Sequence, residues 1–484
     1  MIKSVRNDTL YQALLVLSLS IAAAGIIIYA SFKVIAGFFL LLVLIALYIA
    51  TPPFTKIVFP MIMITFPVTL QVFGKDAFST GTLIIFATLA WALAKRKIGA
   101  TIKSDRVTFI LLFLIAGVGL AGMVTKTPAA YWGRAVRHYV NLVSSIAVFI
   151  LVIHAQNISG IADRKKEYIE KIITVLLLIT VIHVFLTFLI FNFPWVEHYF
   201  SVFLRRNQES LGGHVVGGVY TRGTTVFTGG EEFGELLVLL LPFALYKLFA
   251  SHKKMYWFVL AALLFGLLLS GTRSAFLLMA LQTLIFTYFI VTQKYKTKKI
   301  VITLAVCCTV LIPPIFTKYS PILMDRVQTT IQMIDQEEDI LSIVNRSFVW
   351  PIAYDVTKST LSFFGHGPIQ AHGLGFPVKN FHNLYMSLIF QFGVIGSLLF
   401  LTFIFVMAKR LLKRAKNLTK NGGQAYLLTM SCLLSLSCFL INEIKFEFNR
   451  SDSYQQFVWI FFAVFYLSGR LWQTDKNQRA QKYK

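Results

Sequence analysis

Long apolar stretches alternate with short basic connections along most of the chain. About 20 consecutive apolar residues suffice for an α-helix to cross the roughly 30 Å hydrocarbon core of a bilayer. The pattern therefore predicts an all-α, polytopic membrane protein of about fourteen transmembrane helices. The predicted spans are residues 10–32, 34–52, 57–73, 79–94, 108–124, 138–155, 172–191, 233–250, 255–271, 274–292, 300–317, 383–408, 425–441 and 456–472.

Two long polar interruptions break this succession, at roughly 192–232 and 318–382. They divide the chain into five predicted segments. These are N-terminal helices (1–192), an outer loop (193–232), central helices (233–317), a large outer loop expected to carry catalytic residues (318–382), and C-terminal helices with a tail (383–484).

The net charge of +25 follows the same alternation. Lys and Arg collect in short cytoplasmic loops of membrane proteins. If the N-terminus is inside, every heavily basic short loop falls on one side: 95–106, 164–171, 247–254, 294–299, 409–420 and the tail from 470. We expect both termini to be cytoplasmic and both long loops to face outward, so the basicity requires no nucleic acid.

Composition agrees with a membrane protein and excludes a soluble one. Hydrophobic residues make up 57% of the 484 positions and charged residues 14%, with a mean hydropathy of +0.71. We expect the first apolar segment to be a retained span, because another follows it with no small-residue cleavage site between them. All four cysteines lie inside apolar runs, and the loop histidines are scattered. We therefore predict no disulfide, metal site or cofactor.

Arginine dominates the basic residues that the topology rule leaves on the outer side, and its planar fork binds phosphate oxygens in pairs. Arg273 lies in a break of a few residues between two apolar runs, held close to the hydrocarbon. Arg222 lies in a Gly- and Thr-rich run that precedes Glu232 and a predicted helix from Phe233. Anion binding suits both places. A snorkelling arginine and a plain surface loop are the alternatives.

His382 occupies the point where the second outer loop becomes a spanning helix. Histidine has an ordinary pKa of about 6.5, which suits proton transfer near neutral pH. The alternative is an interfacial histidine satisfied by water. Upstream, Asn345 is a plausible cap for a short outer helix that places Arg346, Trp350 and Tyr354 on one face.

These residues together resemble the O-antigen ligase and O-antigen polymerase superfamily of GT-C type membrane glycosyltransferases. The resemblance covers roughly 217–400. It is carried by Arg222, Arg273 with Leu277 four residues on, Arg346 and Trp350, Gly365-His366-Gly367-Pro368, and His382-Asn383-Leu384-Tyr385 with Gly393 and Gly396. Gly365-His366-Gly367 departs from the commoner glycine–aliphatic–glycine, which leaves His366 without an assigned role.

The resemblance implies a metal-independent, inverting enzyme at the outer face of the bacterial cytoplasmic membrane. Its donor would be a glycan carried on undecaprenyl diphosphate, and its acceptor a sugar hydroxyl. Arg222 and Arg273 would bind and stabilise the diphosphate leaving group, while His382 would take the acceptor's proton. Weaker candidates for holding donor or acceptor are Arg137, Arg346 and Glu232. A flippase and a chain-length regulator are candidate partners.

Three alternatives remain open from the sequence. A lipid-linked glycan transporter would place ionisable residues near the bilayer midplane. The predicted spans are almost free of such residues: His183 is the lone exception, and we expect it to be packed. A non-catalytic envelope scaffold explains neither the outer arginines nor His382. Polymerase and ligase share a donor and differ in acceptor, which is either another lipid-linked repeat or a molecule such as lipid A–core. The span count favours the polymerase.

Overall fold

The structure, a computed structural model, describes part of the chain. The described residues are 55–65, 69–72, 75–94, 105–158, 165–193, 215–216, 220–221, 230–251, 253–292, 351–376, 381–418, 423–444, 447–448 and 451–482. Predictions that fall on other residues, such as the spans at 10–32, 34–52 and 300–317, lie outside this set.

Helices account for nearly all of the described residues. In chain order they are α1 (Thr55–Thr65), α2 (Thr80–Ala94), α3 (Arg106–Lys126), α4 (Trp132–Ile158), α5 (Lys165–Asn192), α6 (Gly230–Ser251), α7 (Met255–Ser270), α8 (Arg273–Thr292), α9 (351–359), α10 (Leu384–Leu418), α11 (Gly423–Asn442) and α12 (Asp452–Lys482). Short 3₁₀ turns cover Ala129–Tyr131 and Ala371–Leu374.

Two short antiparallel strand pairs complete the described elements. Strands β1 (Thr69–Val72) and β2 (Lys75–Ser79) pair with Thr69 opposite Ser79 and Val72 opposite Lys75. Strands β3 (Val215–Val216) and β4 (Tyr220–Thr221) form the second pair, just before Arg222 in sequence. The all-α prediction therefore holds for the described residues apart from these two hairpins.

Two helices form the centre of the bundle. Every residue of α6 from Glu232 to Phe249 is buried, as is every residue of α12 from 453 to 469. A helix that is apolar all round is buried on all sides, and α12 packs between α4 and α10. The indole of Trp459 makes edge contacts with Phe149 and Phe462 and stacks on Phe403 (centroids 6.0, 5.4 and 5.6 Å).

Peripheral helices keep large apolar side chains on their outer faces. On α8, exposed side chains recur at a helical spacing: Leu277, Leu281, Leu284 and Tyr288. In water such a stripe would be costly, whereas lipid tails accommodate it. This pattern agrees with a bundle set in a bilayer.

Six helices among the described residues are long and apolar enough to cross a membrane. They cover Arg106–Lys126, Ala129–Ala155, Lys166–Ile190, Gly230–Ser251, Leu384–Leu418 and Gly423–Asn442. The shorter apolar helices are Gly81–Ala94, Met255–Ser270 and Ser274–Ile290. The membrane class is confirmed, while the total of fourteen spans, the two outer loops and the five segments stay predictions.

The predicted span at 57–73 is wrong. Helix α1 ends at Thr65, and Thr69–Val72 pairs with Lys75–Ser79 as strands β1 and β2. Eleven residues extend only about 16 Å, roughly half the hydrocarbon thickness. The alternation of polar and apolar side chains in Thr69–Val72 is typical of a strand. It was missed because residues 57–73 are mostly apolar when averaged as one span.

The predicted span at 383–408 corresponds to α10, but that helix is interrupted. Gly393 has φ 65° and ψ −169°, far from helical values. A glycine reaches this conformation at little cost because it has no Cβ. The helix α10 is therefore kinked at Gly393.

Candidate functional site

The His-Asn-Leu-Tyr segment at 382–385 forms the entrance to α10. Asn383 caps the helix, because its Oδ1 accepts a hydrogen bond from the backbone N–H of Met386 (3.1 Å). Asparagine is favoured there since its carboxamide satisfies an N–H that a helix start leaves unpaired. His382 thus precedes the cap by one residue, at the loop-to-helix boundary that the sequence predicted.

This segment is attached to the C-terminal end of α11. Three hydrogen bonds join residues 383–385 to residues 440–444. They run from the Leu384 N–H to the carbonyl of Glu443 (2.9 Å), from Asn383 Nδ2 to the carbonyl of Ile444 (2.9 Å), and from the Tyr385 hydroxyl to the carbonyl of Leu440 (3.0 Å). The start of α10 is therefore held firmly, although the two stretches are about sixty residues apart in sequence.

His382 itself has a left-handed backbone, with φ 49°. It is the one non-glycine residue with positive φ among those that the structure describes. A Cβ disfavours this conformation, and such outliers concentrate at functional sites. The backbone N–H of His382 donates to Oε1 of Glu447, in the turn after α11. The residue is half-buried, so it borders both the interior and the surface.

Four buried glutamates lie at the same end of the bundle. Glu232 and Glu235 are in the first two turns of α6, and Glu443 and Glu447 follow α11. None is more than 4% exposed. Burial raises the pKa of Glu443 well above its usual range, and the neighbouring carboxyl group of Glu235 raises it further. Burial and a neighbouring carboxyl group therefore both disfavour the charged form of Glu443.

Arg273 is the first residue of α8, directly after a tight turn. Gly271 ends α7 in a left-handed conformation (φ 57°), and the Thr272 hydroxyl donates to the carbonyl of Gly230 (3.0 Å). A Cβ on Gly234 would lie 2.8 Å from Cβ of Thr272, so the turn lies directly against the start of α6. The structure thereby brings the backbone of Arg273 close to the helix turn that carries Glu232.

Arg137 lies near the start of α4. One turn further along that helix, Asn141 Nδ2 donates to Oε1 of Gln455 (2.7 Å), in the first turn of α12. Residues four apart share a helix face, so Arg137 lies above this contact, toward the end of the bundle where α12 begins. The role proposed for Arg137 in substrate binding stays a prediction. Arg222 and Arg346 lie outside the described residues.

The Gly365-His366-Gly367 segment fills the break in α10. The backbone N–H groups of His366 and Gly367 donate to the carbonyls of Phe390 and Gln391 (3.0 and 2.8 Å). Past the break, the N–H groups of Val394 and Ile395 donate to the carbonyls of Ser362 and Phe363 (3.0 and 3.2 Å). The loop segment 362–367 therefore satisfies backbone groups that the interruption at Gly393 would otherwise leave unpaired.

His366 has a packing role in this arrangement. Its ring stacks on Phe390 (centroids 4.6 Å, interplanar angle 12°), and its Nδ1 donates to the Phe390 carbonyl (3.3 Å). The Thr127 hydroxyl donates to its backbone carbonyl (2.9 Å). Burial lowers the pKa of the imidazole, so the neutral form is favoured. An aromatic ring thus occupies the place where the resembling family more often has an aliphatic side chain.

Three of the four buried glutamates, Glu235, Glu443 and Glu447, were not among the predicted site residues. Glu235 lies inside the predicted span 233–250 and so corrects the statement that His183, which is fully buried, is the lone ionisable exception. Glu443 and Glu447 follow the predicted span 425–441 directly. Ionisable residues in or beside apolar runs are costly and usually functional, and that signal would have identified all three. In the described part of the chain, no three His, Cys, Asp or Glu side chains are grouped to hold a metal ion.

Comparison with known proteins bears on the central part of the chain. Residues 258–401 match the family model described as O-antigen ligase, a range that contains Arg273, His366, His382 and Gly393. No curated protein matches the chain. The matched range lies almost entirely within residues 217–400, the part of the chain whose motifs resemble the O-antigen ligase and polymerase superfamily. Through residues 258–401, the chain's resemblance to the O-antigen ligase and polymerase superfamily is confirmed.

Proposed function

We propose that this protein is a membrane glycosyltransferase that moves a glycan from undecaprenyl diphosphate to a sugar hydroxyl. One observation carries the proposal: His382 and the first turns of α6 and α8 are joined by contacts at one end of the bundle. The carbonyl of Glu443 accepts a hydrogen bond from the N–H of Leu384, and the Glu443 side chain interacts with Glu235 of α6. The carbonyl of Gly230, the first residue of α6, accepts a hydrogen bond from Thr272, which precedes Arg273. A base and a cation site on either side of a reacting sugar are what this transfer requires.

The leaving group is a diphosphate, so its departure creates negative charge in a site bordered by lipid. Arg273 at the helix start, with Arg222 from the loop before α6, would hold that charge. Fixed cations and helix N-termini stabilise developing anions strongly where water is excluded. Arg137 and Arg346 are proposed to bind outer parts of the donor.

The acceptor hydroxyl must lose its proton as it attacks the anomeric carbon. We assign that proton to the imidazole of His382, with Glu232 as a candidate for holding the acceptor sugar. General-base assistance is worth about 10²- to 10⁴-fold. One direct displacement would invert the anomeric configuration, and it releases undecaprenyl diphosphate without a cofactor.

We propose that the acceptor is a second lipid-linked repeat unit, which makes the protein a polymerase of O-antigen or another cell-surface polysaccharide. The ligase, which would use lipid A–core or another acceptor, is the second candidate. The description of the matched family favours it. We place the reaction at the outer face of the cytoplasmic membrane, with both termini inside.

A purified assay tests these proposals. The protein in detergent would be given labelled undecaprenyl-diphosphate glycan, alone or with lipid A–core. A ladder of lengthening products from donor alone supports the polymerase, and a single addition that requires lipid A–core supports the ligase. Absence of any transfer, together with donor movement across reconstituted vesicles, would overturn the enzyme and favour a transporter.

A further inference from the structure

A further hydrogen bond connects the residues after α11 to His382. Besides the bonds to residues 383–385, Glu447 accepts the backbone N–H of His382 itself, and its side chain is buried. This contact acts on the one described non-glycine residue whose backbone is left-handed.

The acceptor is itself held in place. Oε2 of Glu443 accepts the backbone N–H of Phe448 (3.1 Å), and the carbonyl of Glu443 accepts the N–H of Leu384 (2.9 Å). Phe448, the residue after Glu447, is therefore connected through Glu443 to the start of α10. A carboxyl group held in place in this way can stabilise a backbone conformation that a Cβ disfavours.

We propose that Glu447 is a positioning residue that sets the direction of the His382 imidazole through the histidine backbone. The proposal rests on the proposed function, since it assigns the imidazole a proton to remove. A change of φ at His382 would swing Cβ and the ring away from the acceptor hydroxyl. Misplacement of a reacting group by about 1 Å can cost about 10²-fold in rate.

Several hydrogen bonds connect the start of α10 to residues 440–447, and the Glu447 bond is one of them. A variant that removes a different one can therefore show whether Glu447 positions His382 or only stabilises this part of the fold. Tyr385 also joins α10 to the end of α11, through the Leu440 carbonyl, but it leaves the backbone of His382 untouched. Tyr385→Phe is therefore the matched control. It removes one connecting hydrogen bond while the bond to His382 remains.

The experiment measures kcat, donor binding and thermal stability of the purified full-length protein with undecaprenyl-diphosphate glycan. Glu447→Ala should lower kcat about 10²-fold and change donor affinity little. Glu447→Gln, which retains an acceptor oxygen, should stay within roughly tenfold of wild type. Tyr385→Phe should lose much less turnover than Glu447→Ala.

A double-mutant cycle with His382→Gln gives the decisive comparison. If Glu447 acts through the imidazole, Glu447→Ala should reduce turnover little further once the imidazole is gone. An equal additional loss in that background, or a matching loss of donor binding, would overturn the positioning role. Wild-type turnover in Glu447→Ala would do the same.

Two further outcomes separate this inference from the proposed function. If Glu447→Gln is as inactive as Glu447→Ala, a carboxylate that takes up a proton is required, and positioning through the backbone is refuted while glycan transfer stands. Failure of the wild-type protein to transfer glycan at all refutes the proposed function itself. Wild-type turnover in His382→Gln removes the imidazole's role and with it the positioning proposal.

Discussion

Gly365 and Gly393 approach each other with no room for a side chain between them. A Cβ on Gly365 would lie 2.5 Å from the backbone nitrogen of Gly393, and a Cβ on Gly393 would lie 2.5 Å from that of Gly365. Both have positive φ, 66° and 65°. The loop that contains Gly365 can fill the break in α10 only because neither residue carries a Cβ.

We predict that Gly393→Ala and Gly365→Ala will be severely destabilising. Each combines backbone strain of about 1–3 kcal/mol with overpacking of about 1–3 kcal/mol. Thermal unfolding in detergent, or the yield of monodisperse protein, measures the effect. Gly117→Ala is the matched control, since a Cβ there meets nothing within 4 Å. Equal stability of Gly393→Ala and Gly117→Ala would show that the loop does not occupy the break.

His382→Gln should lose most glycan transfer, by about 10²-fold or more if the imidazole is a general base. Donor binding should persist, because the proposed diphosphate site is built from arginines. A base must be neutral to act, so wild-type turnover should fall as the pH is lowered through the pKa of this histidine in the complex. A pH profile of kcat checks this. Wild-type turnover in His382→Gln across the range would refute the base.

Arg273→Ala should abolish transfer, whereas Arg273→Lys should recover part of it. Lysine supplies the charge but cannot bind two phosphate oxygens with a planar fork. Arg222→Ala should resemble Arg273→Ala. Lys298→Ala, in a predicted inner loop, serves as the control and should change little. Turnover and donor affinity are the measurements. Full activity of Arg273→Ala at normal protein level would show that Arg273 only contacts lipid and takes no part in catalysis.

The predicted topology can be tested by labelling single cysteines in intact cells. A cysteine at position 420 should resist an impermeant thiol reagent, while cysteines at 209 and 339 should react. The expectation follows from the collection of Lys and Arg in alternate loops. Labelling at 420 but not at 339 would place the proposed site on the cytoplasmic side.

Asp105 and Arg410 form an ion pair at the end of the bundle remote from His382. Burial opposes ionisation of Asp105, but the hydrogen bond and charge of Arg410 outweigh it, so its pKa lies below the usual value. Asp105→Asn, which can still cap α3, should lower stability by roughly 1–3 kcal/mol. The exposed pair Glu167–Lys171 is the control, and Glu167→Gln should cost at most about 0.5 kcal/mol.

The pH dependence of that ion pair has a definite sign. Because Asp105 binds its proton less readily in the folded protein, its stabilisation is complete above the unfolded pKa of about 3.9. It is lost as the pH falls through the lowered native pKa. Unfolding measured over this range in wild type and Asp105→Asn should converge at low pH. A constant difference between them would contradict the assignment.

The sequence by itself determined the class of protein, most helix positions and the boundary at which His382 lies. These features depend on local quantities: the length of apolar runs, the placement of basic loops, and a cap residue such as Asn383 before an apolar stretch. The prediction of a span at 57–73 was wrong because average hydropathy over such a window does not show the alternation of polar and apolar residues that is typical of a strand such as β1.

Only the tertiary structure decided what surrounds His382. The contact with Glu447 joins residues 65 positions apart, and the approach of Gly365 to Gly393 depends on where an outer loop meets a broken helix. A single sequence carries no record of such distant pairs, since hydrogen bonds and excluded volume act between atoms that only folding brings together. The left-handed backbone of His382 is likewise seen only in the folded structure. Histidine adopts that conformation more often than most residues with a side chain, but this preference is too weak to predict it at one position.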